Sequence, residues 1–453
     1  MDEPASIPWR RGVLWLLFLG PLFFISYGYA NALAARWDAA GQVGCFYFEW
    51  EKGIPFWPWS IVPYWSIDLL YGLSFLCCRN ARETDSLGLR LLSVQVISIA
   101  CFLFFPLRFA FLRPSPEGVF GALFTLLASF DQPYNQAPSL HIGLLVIVWK
   151  QFSTLDVSPR LHAFIHGWAL LIGVSVLTTW QHHFIDVPTG LAVGLFCLWL
   201  WPDEGASPLL KRAVDAGHWK LAAYYLAGAA LSLAAALAPR QPGVPAFLLG
   251  WLALALTLVA CNYLRAGAAG FQKSERQNTG RRTLASACLF APYTLAAWIN
   301  SRCWTRKNPR PDQIADGVWL GRLPTAREFA QSGCAALLDL TAELPAPARV
   351  PYYRNLPCLD LTRPSAAFLL EAARTIEALR EKGAVLVACA LGFSRSAAAV
   401  AVWLRLTGRA ASMREAVALL AARRPRMALN AAWLELLDGT ERLISGGRHD
   451  ERK

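Results

Sequence analysis

Apolar positions in this chain follow two rhythms. Through the first 300 residues they run in long blocks broken by short polar stretches. A helix that crosses a bilayer needs about 20 apolar residues. The blocks predict eight such spans, near 12–35, 59–78, 89–112, 138–152, 162–180, 184–201, 219–238 and 243–264. The block at 118–130 is apolar but short, which predicts an interfacial helix. From about 311 the rhythm changes. Short apolar strands at 316–321, 335–340, 350–358 and 384–388 alternate with amphipathic helices at 366–382, 396–407, 412–422 and 430–443. That alternation predicts an α/β sheet with helices on its faces. The expected fold is an all-α polytopic membrane bundle of about eight transmembrane helices, followed by a soluble α/β domain. The expected boundaries are 1–205 for the first membrane domain, 206–300 for further helices and an interfacial segment, and 301–453 for the soluble domain.

Charge sharpens this picture. Only 16% of the 453 residues are charged against 55% hydrophobic, yet the net charge is +12. Arg10, Arg11, Arg79, Arg82, Lys150, Arg160, Lys211, Arg212 and Lys220 fall on one side of the predicted spans. Arg36 and Lys52 fall on the other. Positive charge marks cytoplasmic loops, so the richer side is taken as cytoplasmic. The segment 283–300 is apolar with Arg281 and Arg282 before it and Arg302, Arg306 and Lys307 after it. Such flanks predict a segment lying in the cytoplasmic face, with the C-terminal domain cytoplasmic. Ala32-Leu33-Ala34 resembles a signal-peptidase site, but the preceding run is long for a signal peptide and reads as an uncleaved span. The chain is therefore expected in the inner or plasma membrane as a multi-pass protein. A basic surface without a base-stacking aromatic motif excludes nucleic acid as the expected partner. The 11 cysteines form no Cys-x-x-Cys pair or Cys/His cluster, so no cysteine zinc site is expected, and no cofactor is expected.

The strongest chemical signal is Ala384-Val385-Leu386-Val387-Ala388 followed by Cys389-Ala390-Leu391-Gly392-Phe393-Ser394-Arg395-Ser396 and an Ala-rich helix. Strand, tight loop and helix present backbone N–H groups of Ala390, Leu391, Gly392, Phe393 and Ser394 to a phosphate. The same field favours a thiolate at Cys389, the nucleophile. Gly392 permits the turn, Arg395 offers a planar fork to two phosphate oxygens, and Ser396 can hydrogen-bond the leaving thiolate. This stretch resembles the dual-specificity phosphatases, over about 310–445, with Asp316 to Arg322 similar to their opening strand and Leu338 to Glu343 to the next strand and turn. The resemblance places Asp360, within Pro357-Cys358-Leu359-Asp360-Leu361, as general acid and then base. One departure is Ala388, where the family usually carries a histidine that supports the loop.

Three polar clusters interrupt the spans on the opposite side: Arg108 with Arg113-Pro114, Tyr134 to His141, and Gln181 to Asp186. Ionisable residues at a bilayer default to function. His182 and Asp186 are four apart and share a helical face if the span begins there. Asp186 can then hold one imidazole nitrogen and leave the other to attack phosphorus, while His141 protonates a leaving alkoxide. A zinc site of His141, His182, His183 and Asp186 is the competing reading. The order of clusters resembles the type-2 phosphatidic acid phosphatase superfamily over about 90–201. By that resemblance His141, His182 and Asp186 are proton donor, nucleophile and orienting carboxylate, and Arg113 binds phosphate, with Arg108 beside it. Pro106 and Val176 stand where that family carries cations, and Pro138-Ser139-Leu140-His141 with Gln181 to Asp186 is closer to the inositol-phosphorylceramide and sphingomyelin synthase branch. Hydrolysis and headgroup transfer both stay open for this half.

The expected function is a membrane phosphatase of phospholipid metabolism, cleaving phosphomonoesters through phosphocysteine at Cys389, with a second, His182-based lipid phosphatase or phosphotransferase site. The rivals are a membrane-anchored protein tyrosine or serine phosphatase and a weakly active lipid-binding sensor. The expected partners are the membrane and a phospholipid substrate; the pattern specifies no oligomeric state.

Overall fold

The computed structural model describes residues 8–210, 212–238, 243–273 and 280–450, so Lys211 lies outside the described residues. The chain divides into two compact units, Met1–Ser207 and Pro208–Lys453.

The first unit is helical: α1 Pro8–Ala39, α2 Ile61–Leu76, α3 Ala81–Phe104, α4 Gly118–Ala128, α5 Leu140–Ser153, α6 Pro159–Thr178 and α7 Asp186–Leu200. Local chemistry sets the ends. Asn80, Ser139 and Ser158 accept from the N–H three residues on, capping α3, α5 and α6. The predicted span 89–112 sits eight residues too late: the Asn80 cap starts the helix at Ala81, and Pro106, which has no N–H to give, follows its end. α5 and α7 cross closely because Gly190 and Gly194 face α5. A Cβ on Gly190 would lie 2.4 Å from the Ser139 carbonyl oxygen, and one on Gly194 2.9 Å from that of Gly143. Small residues that let two backbones approach are the usual glue between membrane helices. Polar bonds tie the helix ends together. At one end Arg11 pairs with Asp85, Arg79 reaches the Thr154 carbonyl, Arg82 that of Gly205, and Arg90 and Lys150 converge on Asp203. These are the loops expected on the basic side.

The second unit begins with a hairpin, α8 Trp219–Leu237 and α9 Val244–Cys261. After a π turn and a 3-10 turn over Asn262–Phe271 come α10 Leu284–Leu289 and α11 Ala291–Thr305. The expected interfacial segment 283–300 is thus two helices, parted at Phe290-Ala291-Pro292. Among the described residues five helices are long and apolar enough to cross a membrane: α1, α3, α6, α8 and the helical stretch Val244–Phe271. α2, α5 and α7 coincide with predicted spans but have 16, 14 and 15 residues, short of the bilayer core's thickness at 1.5 Å per residue.

The sheet follows: β1 Asp312–Ala315, β2 Val318–Arg322, α12 Ala326–Gln331, β3 Ala336–Thr341, β4 Tyr352–Cys358, α13 Ala366–Arg380, β5 Val385–Cys389, α14 Arg395–Leu406, α15 Met413–Arg423 and α16 Ala431–Asp450. β1 and α12 were not anticipated; β1 is a four-residue strand and α12 a six-residue helix, too brief for a periodic pattern. Strand order is β1-β2-β5-β3-β4, antiparallel only between β1 and β2. The strands alternate sides. Leu338, Leu340, Val385 and Val387 face α13 to α16, while Leu337, Leu386 and Ala388 face the layer that holds Phe329 of α12 and Ala297 of α11. β5 is central and ends at Cys389, the carboxyl edge where ligands bind in parallel sheets.

Candidate functional site

β5 delivers Cys389 to a loop that turns straight into α14. The thiol is buried, and its Sγ accepts from the Gly392 N–H and the Ser396 hydroxyl, both at 3.2 Å. Burial alone would raise its pKa. Arg395, Ser396 and the Gly392 amide outweigh that and hold the thiol below its ordinary value. Gly392 has φ +72°, and a Cβ there would lie 2.3 Å from the Gly321 carbonyl carbon of β2. Only glycine fits this turn.

The rest of the loop is clamped from outside. Arg424, fully buried, donates from Nε to the Gly392 carbonyl at 2.9 Å and from Nη1 to Asp312 at 2.6 Å. Ser301 of α11 donates to the Ala390 carbonyl at 2.5 Å. Ala388 packs among apolar side chains on the α11 side of the sheet. Ser301 and Arg424 thus supply loop support where the resembling family uses a histidine. Neither was anticipated, because each lies far along the chain from the loop it holds.

Arg395 is 2% exposed and over-determined. Its guanidinium donates to both Glu343 carboxylate oxygens at 2.8 and 3.2 Å, to the Cys358 carbonyl at 2.7 Å and to Asp360 Oδ1 at 2.8 Å. Glu343 stays ionised: Arg395 overcomes the burial that would protonate it. Asp360 goes the other way. Burial, with Glu343 nearby, lifts its carboxyl above the usual carboxylate range despite Arg395. Two acids on one arginine thus differ: Glu343 is a fixed counter-ion, while Asp360 is a carboxyl that holds a proton more readily, which is what a general acid requires. Glu343 lies in the resembling stretch, but spacing alone gives it no role; an acid just past a strand end is its only sequence signal.

Cys389, Arg395, Ser396 and Asp360 therefore meet at the carboxyl edge of the sheet, with the Ala390–Ser394 loop between them. A buried thiol with a lowered pKa, under a loop of amides and a fixed guanidinium, is an arrangement that can hold a phosphate against a sulfur nucleophile. Residues 318–442 match the family described as dual specificity phosphatase, catalytic domain. The chain thus carries a dual specificity phosphatase domain, and with it the activity class of a phosphoric monoester hydrolase. Among solved structures, Tk-PTP in the active form is 30% identical (TM-score 0.28), covering 30% of this chain and 98% of its own. Human DUSP28 is 23% identical (TM-score 0.28; 30% and 99%), and PTPMT1 in complex with PI(5)P is 21% identical (TM-score 0.26; 30% and 97%). Among curated proteins none matches the chain.

In the helical unit the predicted polar clusters also converge. His182 Nδ1 lies 3.1 Å from Asp186 Oδ2. They do not share a helical face as expected: α7 starts at Asp186, and His182 sits in the turn before it, so the carboxylate reaches back to the ring and to the His183 N–H at 3.0 Å. His182 and His141 line one cavity with Tyr27, Tyr64, Asp68 and Asp131. His141 stacks on Tyr64 at 4.1 Å. Among the described residues its Nε2 is buried with no protein partner, as are Asp186 Oδ1 and Arg113 Nη1. Arg113 lies over the Phe124 ring, and Arg108 pairs with Asp38 at 3.3 Å; neither lines the cavity. His183 turns away. It accepts from the Ala110 N–H at 3.0 Å and gives its other nitrogen to Glu51 at 2.9 Å. Among the described residues no group of three His, Cys, Asp or Glu is arranged to hold a metal.

Proposed function

We propose that the chain is a membrane phosphatase whose cysteine site removes phosphomonoesters from phospholipid headgroups. One observation carries this reading. Tyr263, the second residue after the apolar α8–α9 hairpin, donates its hydroxyl to the main-chain carbonyl of Asp360 at 2.9 Å. With that hairpin in the bilayer, the cysteine site stands at the level of the headgroups, where a lipid monoester is the nearest substrate.

Cys389 Sγ attacks phosphorus as the P–O bond to the headgroup breaks. The Asp360 proton passes to the leaving oxygen, and Arg395 with the loop amides holds the transferring oxygens. Asp360, now a carboxylate, takes a proton from the water that displaces the Cys389 sulfur and releases phosphate. Ser396 stabilises the departing thiolate.

The helical unit supports a second site. In this reading His182, oriented by Asp186, forms a phosphohistidine, and His141 protonates the leaving group. Eight spans, with α2, α5 and α7 crossing inside the bundle, and a cytoplasmic C-terminal domain complete the reading. A division at 1–205, 206–300 and 301–453 belongs to it too.

The test is phosphate release by the detergent-purified chain from phosphatidylglycerol phosphate, phosphatidic acid and a phosphotyrosine peptide. Lipid cleavage lost in Cys389→Ser and kept in His182→Ala is expected. Efficient peptide cleavage with every lipid untouched sinks the proposal and leaves a membrane-anchored protein phosphatase.

A further inference from the structure

We propose that Tyr263 is a positioning residue for the general acid, so that the α8–α9 hairpin sets proton delivery at the cysteine site. The inference rests on the reading of Asp360 as that acid. Tyr263 is 1% exposed and tied to both helices of the hairpin. It is the second residue past the end of α9, and its carbonyl accepts from the Gly217 and His218 N–H groups, which lead into α8, at 2.8 and 3.0 Å. Its ring stacks on Tyr225 of α8 at 5.3 Å, and Tyr225 meets Tyr293 of α11 edge-on at 5.8 Å. The remaining group, the hydroxyl, reaches Asp360.

The Asp360 loop needs such a hold. It joins β4 to α13 through Leu361 at φ +57°, an unfavourable conformation for leucine, and leaves that side chain 73% exposed. Within the loop, Thr362 donates to the Leu359 carbonyl at 2.9 Å. On the hairpin side, the Tyr263 hydroxyl fixes the carbonyl of the acid itself. Because that bond goes to the main chain, its loss displaces the carboxyl without changing its charge. A misplaced acid harms substrates according to how badly the leaving oxygen needs a proton. An alkoxide needs one; a nitrophenolate leaves without it.

The experiment compares kcat/KM, which reports only the steps up to the phosphocysteine, for an alkyl phosphate monoester and for p-nitrophenyl phosphate, using the full chain in detergent micelles. Tyr263→Phe is expected to slow the alkyl substrate by about 5–10-fold, one hydrogen bond's worth, and p-nitrophenyl phosphate by less than about twofold. In an Asp360→Asn background the same substitution is expected to add nothing, since its target is already gone. Equal losses on both substrates would assign Tyr263 to folding alone and overturn the proposal. No loss on either, or full additivity with Asp360→Asn, would overturn it as well. Cys389→Ser is run alongside: activity that survives it defeats the underlying reading of the site rather than the role of Tyr263.

Discussion

Glu343→Gln isolates what the buried counter-ion does. The substitution keeps size and shape but removes a charge from a pair in which both side chains are 2% exposed. The amide nitrogen that replaces one carboxylate oxygen would face an Arg395 N–H, donor against donor. Breaking a buried ion pair outright costs about 3–5 kcal/mol. Asp360 still accepts from Arg395 Nη2 at 2.8 Å, so part of the pairing survives and about 2–3 kcal/mol is the fitting range. If all of it falls on the transition state, kcat/KM drops roughly 30- to 150-fold. A second effect has a definite sign. Glu343 is one of the groups that raise the Asp360 pKa. Removing its charge lowers that pKa, so Asp360 loses its proton at lower pH. The first half-reaction needs the protonated acid, so the basic limb of the pH–rate profile moves toward acid. The assay is kcat/KM for an alkyl phosphate monoester across pH. A variant within about threefold of the parent, with an unmoved basic limb, would refute the reasoning.

Three further outcomes are expected. Gly392→Ala would drive a methyl into the β2 backbone at 2.3 Å; it is expected to lower stability by about 2–4 kcal/mol and abolish phosphatase activity, read by thermal unfolding and turnover. Ser396→Ala removes a hydroxyl that holds the Cys389 pKa down, so the pH dependence of iodoacetamide alkylation is expected to shift to higher pH; an unmoved profile would contradict the 3.2 Å contact. Gly194→Leu would wedge α5 from α7, and thermal scanning in detergent is expected to show a lowered unfolding temperature.

The parts legible in the sequence were those written in contiguous residues. The strand–loop–helix around Cys389 was readable because its amides, thiol and guanidinium all lie within eight residues. The apolar blocks located the helices, since hydropathy is a local property. What escaped was assembled from distance. Glu343, Ser301, Arg424 and Tyr263 reach the cradle from four other elements, and none belongs to a periodic pattern. The His182–Asp186 pair shows a subtler failure: the spacing fitted a helix, but the bond forms through a helix start, with the carboxylate reaching backward. α2, α5 and α7 kept their places as helices yet are too short for the simple length rule. Hydropathy reports what a segment is made of, and it says nothing of the partners that would let a short helix sit inside a bundle.

The most direct test of the central claim is to catch the covalent intermediate on its lipid substrate. The Ser396→Ala chain, slowed in releasing the Cys389 thiolate but with the Asp360 acid intact, would be mixed with phosphatidylglycerol phosphate, acid-quenched and analysed by peptide mass spectrometry. The account predicts one added phosphoryl group on Cys389. No adduct at Cys389, when a phosphotyrosine peptide does produce one, would contradict it.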